Sequence, residues 1–223
     1  MRLIAAAAVV VLMMLSGCSY MPAMAETSDA FTIVIDPGHG GMDGGAATTS
    51  GVKESDINLQ ISARLECLLT FMGCQTVMTR NADTHLGGPG YRKAADIKAR
   101  LAAAEENNAD ILISIHQNHY SDSRYGGAQV FFGGADGSDV LAKIVQDNLK
   151  EALDESNNRS IKDGTDTAYL LKNADCSAIL VECGFLSNPS DAENLQIADY
   201  QKKVAIAVAA GSIQFKGDSP DES

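Results

Sequence analysis

Ile33-Val34-Ile35-Asp36-Pro37-Gly38-His39-Gly40-Gly41 decides the fold. Three β-branched apolar residues in a row predict a buried strand. Pro37 ends it, and Gly38, Gly40 and Gly41 let the backbone bend sharply and pass close to another group. A histidine in such a turn sits at the carboxyl end of a strand, where open α/β sheets carry their ligand sites.

The chain on either side supports a domain of that class. Ser55 to Met72 predicts a helix, capped by Ser55, with Asp56 in its first turn. Ile57, Ile61, Leu65, Leu68, Leu69 and Met72 form its apolar stripe. Gln75–Met78 predicts a second strand, followed by turn-rich sequence from Asn81 to Gly90. Tyr91–Asn107 predicts a helix and Asp110–Ile115 a buried strand that ends at His116. Ala128–Phe132 predicts another strand between glycine pairs. Ser138–Leu153 predicts a helix with Val140, Leu141, Ile144, Val145, Leu149 and Leu153 inward. Ala168–Leu171 reads as a short strand, Ala178–Val181 as a strand leading into Glu182, and Tyr200–Phe215 as a final helix. Alternating strands and helices predict one α/β domain over residues 31–216. Its twisted sheet has about six strands, mostly parallel, with helices on both faces.

Composition narrows the function. A chain of 223 residues with 45% hydrophobic content can bury a sizeable core. A formal net charge of −12 argues against nucleic-acid binding, which needs a basic footprint. Residues 1–18 read as a signal peptide: Arg2 precedes an apolar run from Leu3 to Leu15 that is too short to span a bilayer as a mature helix. Leu15-Ser16-Gly17-Cys18 resembles a bacterial lipoprotein cleavage box, which implies lipidation of Cys18 and a membrane-anchored protein facing the cell wall. An ordinary secretory signal cut near Ala23-Met24-Ala25 is the alternative, and either reading implies export. Residues 19–30 read as a tether and 217–223 as a disordered tail. Cys67, Cys74, Cys176 and Cys183 have no C-x-x-C spacing. Buried free thiols are the favoured reading, with disulfides permitted by export.

His39, His116 and Glu182 each follow a predicted strand, and in a parallel sheet those ends share one edge. Glu54 immediately precedes the first helix and returns to that edge. Two histidines and a carboxylate around an open position are the ligand set of a catalytic zinc site, and a further carboxylate suits a general base. Each residue alone has a plainer reading. His39 could be a loop histidine bonded to backbone, Glu54 a first-turn helix acid, and Glu182 a solvated or salt-bridged carboxylate. His116 is the most suggestive, because the polar Gln117-Asn118 follows a buried strand directly.

These residues resemble a known family. Ile35-Asp36-Pro37-Gly38-His39-Gly40-Gly41, Val52-Lys53-Glu54-Ser55-Asp56-Ile57-Asn58-Leu59, Ser114-Ile115-His116-Gln117-Asn118 and Val181-Glu182-Cys183-Gly184-Phe185-Leu186-Ser187-Asn188 are similar to motifs of the zinc-dependent N-acetylmuramoyl-L-alanine amidases of the third amidase family. Met78-Thr79-Arg80 with Asp83, and Asp96-Ile97-Lys98-Ala99-Arg100, match weaker signatures. The resemblance runs from Thr32 to Phe215 and is of the short single-domain type found in spore-cortex and cell-wall processing. It implies that His39, Glu54 and His116 bind Zn2+ and that Glu182 is the catalytic carboxylate. The implied reaction is hydrolysis of the amide between N-acetylmuramic acid and L-alanine of the peptidoglycan stem. Asn118 is a weaker candidate for orienting substrate. His119 departs from the small residue usual in the family and reads as a rim group, and His85 reads as a bystander.

No long insertion lies between Phe132 and Ile179, where some relatives carry an autoinhibitory helix, so the site is expected to be permanently open. No wall-binding module is apparent, which implies retention through the lipid anchor or through an activating or wall-targeting protein. Two other readings stand beside the amidase: a catalytically weak wall-binding lipoprotein, and a zinc peptidase acting within the stem peptide.

Overall fold

The computed structural model describes residues 30–218. The signal sequence with Cys18, the tether up to residue 29 and the tail from residue 219 lie outside the described residues. Six strands form one sheet: β1 (Thr32–Pro37), β2 (Gln75–Met78), β3 (Ile111–Asn118), β4 (Gln129–Phe132), β5 (Lys162–Asp163) and β6 (Ser177–Phe185). Among the described residues six helices accompany them: α1 (Glu54–Phe71), α2 (Lys93–Glu106), α3 (Ser138–Leu153), α4 (Tyr169–Asn173), α5 (Pro189–Asn194) and α6 (Ala198–Asp218). The strand order is β2-β1-β3-β6-β4-β5, parallel throughout except where β4 runs antiparallel to β6. The mostly parallel α/β architecture is therefore as the alternation predicts.

Side-chain alternation along the strands sorts the core into two layers. Ile33, Ile35, Ile113, Ile115, Ile179 and Val181 face the helices α1, α3 and α6. Val34, Leu112 and Ala178 face the smaller pair, α2 and α4. Strands buried on both faces explain the largely apolar runs that mark β1, β3 and β6 in the sequence. The chain leaves β1 through α1 to β2 on one side, then returns through α2 to β3 on the other. The carboxyl ends of β1 and β3 thus flank the point where strand order reverses, the usual place for a ligand crevice.

Several local expectations differ. Ala168–Leu171 is not a strand: Ala168 is extended, and Tyr169 begins the short helix α4, which buries Leu170 and Leu171. A short apolar run carries no period long enough to separate strand from helix. Strand β5 is two polar, exposed residues and leaves no hydrophobic signal. Helix α5 was not anticipated, although its chemistry is explicit: Asn188 accepts from the amides of Ser190 and Asp191, and Pro189 opens the helix. Ser55 does not cap α1. Lys53 holds the cap position without a side-chain bond, and Ser55 lies buried inside the first turn. Val140 and Met72 are about half exposed rather than inward. The four described cysteines are free thiols, and Cys67 is exposed rather than buried. Strand β3 continues past His116 to Asn118, with a register irregularity between them, and α6 extends through Gly217 to Asp218.

Candidate active site

His39 lies just past β1 in the glycine turn and itself adopts φ 61°, a left-handed conformation that is strained for a side-chain-bearing residue. Two flanking glycines make room for it. A methyl group on Gly38 would overlap the His116 ring, and one on Gly45, at φ 67°, would overlap Glu54 and His39. Arg100, buried in α2, holds the turn from beneath by donating to the carbonyls of Pro37 and His39 at 2.8 and 2.7 Å. Arg80, also buried, donates to Pro37, Gly38 and Ser55 carbonyls at 2.9, 3.0 and 2.9 Å. Two guanidiniums therefore satisfy the carbonyls that the sharp turn removes from secondary structure.

Glu54 is the hub. Its Oε1 lies 3.0 Å from His116 Nδ1 and 3.3 Å from His39 Nε2. The same oxygen accepts from the Gln117 amide at 3.1 Å, while Oε2 accepts from the Ala46 amide at 2.9 Å. Asn58, one turn along α1, completes the cradle by donating to Gly38 O and Glu54 Oε1. The ligand atoms of His39, Glu54 and His116 all lie within 4.8 Å of one another, the one such His/Cys/Asp/Glu group among the described residues.

The electrostatics follow from this packing. Burial alone would lower the His39 pKa, but the hydrogen bonds and negative charges of Glu54 and Asp43 overcome it and raise it to about 9. Burial likewise favours the neutral form of Glu54, but the two imidazoles outweigh it and hold the carboxyl far below its ordinary range. Two imidazole nitrogens aimed at one carboxylate oxygen are held together either by protons or by a cation, and this donor set suits a divalent metal.

Glu182 stands apart from the donor triad but within its field. Its position in β6 pairs with His116 in β3. Burial raises its pKa to about 7, with His116 opposing and Glu54 reinforcing the shift. Its Oε2 is buried with no hydrogen-bond partner among the described residues. An orphaned carboxylate oxygen beside a metal-competent cluster is the arrangement that a substrate or water completes.

The remaining predicted residues separate. Asn118 ends β3 half-buried, its carbonyl accepting from Leu186. His119 is exposed, and His85 packs edge-on against Tyr91 and beside Gly41 of the turn, outside the donor triad. Asp43 was missed by sequence reasoning. Its carboxylate lies 3.0 Å from His39 Nδ1 and accepts from the Tyr91 hydroxyl at 2.7 Å. It thereby fixes the ring and directs Nε2 toward Glu54. An acid four residues after a candidate ligand histidine was the available signal, because ligating imidazoles characteristically give their second nitrogen to a carboxylate.

An open α/β sheet with this donor set at its switch point is the frame of an enzyme whose site could hold a metal ion. The family follows from comparison. The chain belongs to the N-acetylmuramoyl-L-alanine amidase family, whose model matches residues 33–214. A germination-specific N-acetylmuramoyl-L-alanine amidase of Bacillus subtilis is 36% identical over 198 residues, covering 85% of this chain and 82% of that protein. The CwlD amidase from Clostridioides difficile, solved in complex with the GerS lipoprotein, superposes with a TM-score of 0.78 at 35% identity, covering 83% of this chain and 98% of that one. An N-acetylmuramoyl-L-alanine amidase from Clostridium difficile 630 gives a TM-score of 0.77 at 29% identity, over 86% and 100% of the two chains. The protein is accordingly an enzyme that hydrolyses the amide between N-acetylmuramic acid and L-alanine in peptidoglycan.

Proposed function

We propose that His39, Glu54 and His116 hold a Zn2+ ion and that Glu182 is the catalytic carboxylate of the amidase. The observation that carries this reading is the convergence of three ligand atoms beside the unpartnered Glu182 Oε2. The residues suit zinc: two imidazole nitrogens and one carboxylate oxygen are a catalytic zinc donor set, and Asp43 supplies the orienting acid that such sites need. When bound, Zn2+ supplies Lewis acidity toward the amide carbonyl and acidifies water to a pKa near ~7. Glu182 then accepts the proton of the attacking water at its free oxygen. Water oxygen bonds to the lactyl carbonyl carbon, the C–N bond breaks, and Glu182 returns the proton to the departing amine of L-alanine. A neutral-range carboxyl suits both halves of that transfer.

The test measures metal content alongside amide hydrolysis of purified muropeptides. Zinc should restore activity to the metal-free enzyme and produce free lactyl carboxyl and L-alanine amino termini. Fragments cut elsewhere in the stem would sink the assignment in favour of a peptidase.

We also propose that the protein is exported and tethered to the membrane by lipid on Cys18, and that it serves spore-cortex processing. The supporting observations are the Leu15-Ser16-Gly17-Cys18 sequence and the germination-specific relative. A partner protein on the wall side is the alternative means of retention, supported by the lipoprotein complex of the C. difficile relative. Among the described residues no helix is long and apolar enough to cross a membrane. Intact-mass analysis of the membrane fraction should show a diacylglyceryl adduct on Cys18. A soluble form beginning after Ala25 would reject the anchor.

A further inference from the structure

The two histidines of the triad, His39 and His116, line a cleft of about 220 Å3 on the α2/α4 face of the sheet. Gly38, His39 and His116 are part of its lining, so an occupant lies against the two imidazoles. Its rim carries Tyr91 and the 47% exposed Tyr169. The acids that line it are already engaged. Asp36 and Asp96 each meet Arg100 at 2.7 Å, and Asp43 meets His39. Lys93, exposed in the first turn of α2, is the one charged lining residue with no ion pair or hydrogen-bonded partner among the described residues.

We propose that this cleft takes the peptide arm of the substrate and that Lys93 is a specificity residue, selecting stems whose residue after L-alanine carries a free carboxylate. This rests on the zinc-site reading above. The two arms of the scissile amide differ in shape. The glycan is a through-strand that continues past the muramic acid in both directions, so it lies across an open surface. The stem is a branch with a free end, and a branch can enter a small cleft. The tyrosine rim and apolar wall suit the alanine methyl and an extended backbone, with a polar group fixing orientation. A protein of net charge −12 repels an anionic peptide at long range. One unpaired ammonium beside the site offsets that repulsion locally and rejects the uncharged isostere.

The test uses zinc-loaded enzyme and two muramyl tripeptides that differ only in whether that carboxylate is free or amidated. The wild type should prefer the acidic stem roughly tenfold in kcat/KM, as expected for one charge-assisted hydrogen bond. Lys93→Met should remove the preference by lowering kcat/KM on the acidic stem through KM, and Lys93→Glu should reverse it. Thermal melting and zinc content report whether the variants fold and load as the wild type does. Binding of the acidic and amidated stems to the Glu182→Gln variant, followed by calorimetry, should show the same preference without turnover. Equal effects of the Lys93 variants on both substrates, or none on either, would overturn the inference and leave the amidase assignment intact. Failure of the wild type to cleave either would overturn both.

Discussion

His116 and Glu182 are register partners across the parallel β3–β6 pairing, so their side chains leave the sheet on the same face at the same height. Glu182 needs no loop to bring it to the site, because rigid strand geometry sets its distance from the histidine. On the proposed assignment, Glu182→Gln removes the proton acceptor and leaves the donor triad in place. Zinc content should match the wild type, while kcat falls roughly 100- to 10,000-fold. Near-full activity in the variant would refute the role.

The triad itself should be strict. His39→Ala and His116→Ala each delete one ligand and should yield protein without stoichiometric zinc. Gly38→Ala tests the packing instead of the ligands. Its methyl would displace the His116 ring, so zinc affinity should fall although every donor remains. Elemental analysis after dialysis distinguishes these from variants that merely slow chemistry.

Asp43→Asn keeps a hydrogen-bonding group beside His39 Nδ1 but removes the charge. Loss of an outer carboxylate of this kind typically costs roughly 10- to 100-fold in metal affinity or activity. Competition against a chromophoric chelator should register the change. An affinity equal to the wild type would show that Asp43 is bound to the ring without tuning it.

Metal uptake should release protons. His39 has a folded-state pKa of about 9 against an ordinary 6.5 in the metal-free protein, so it is protonated at pH 7 and must lose that proton to ligate. Zinc affinity should therefore weaken as pH falls, and calorimetry in buffers of different ionisation enthalpy should count the proton released. The same raised pKa has a stability sign. His39 stabilises the metal-free fold fully below pH 6.5, and that contribution disappears as pH rises through about 9. The melting temperature of metal-free protein should drop across that window, and less so in His39→Asn.

Arg100 carries structural weight beneath the turn. Burial favours the neutral form of Asp36, but Arg100 and the hydroxyls of Ser114 and Thr79 hold its carboxyl below the ordinary value. Removing one member of a buried pair typically costs roughly 3–5 kcal/mol. Arg100→Met should approach that loss in urea unfolding and should also weaken zinc, since the His39 carbonyl loses its donor. Because the Asp36 pKa is depressed, its contribution is present above its ordinary value and lost as pH falls through the folded one. The stability difference between wild type and Arg100→Met should therefore be largest near neutral pH and narrow as pH falls below the ordinary carboxyl range.

Much of this molecule is written locally along the chain. Apolar runs rich in β-branched residues mark β1, β3 and β6 because a strand buried on both faces has little polar side to show. The helical stripe of Ile57, Ile61, Leu65 and Leu69 marks α1 for the same reason, with one buried face. Strand ends carrying His39, His116 and Glu182 announce the site, since parallel strands place their carboxyl ends on a common edge. Tertiary structure alone decided the rest. Which donor atoms meet depends on Glu54 reaching back from α1 to two histidines 15 and 62 residues away. Arg80 and Arg100 gain their roles from carbonyls that only a folded turn exposes, and Asp43 gains its role from the His39 ring and the Tyr91 hydroxyl that the fold brings to it. The antiparallel pairing of β4, the turn of helix at Tyr169 and the unpaired Lys93 beside the triad likewise depend on what packs against them, and no short stretch of sequence encodes its neighbours.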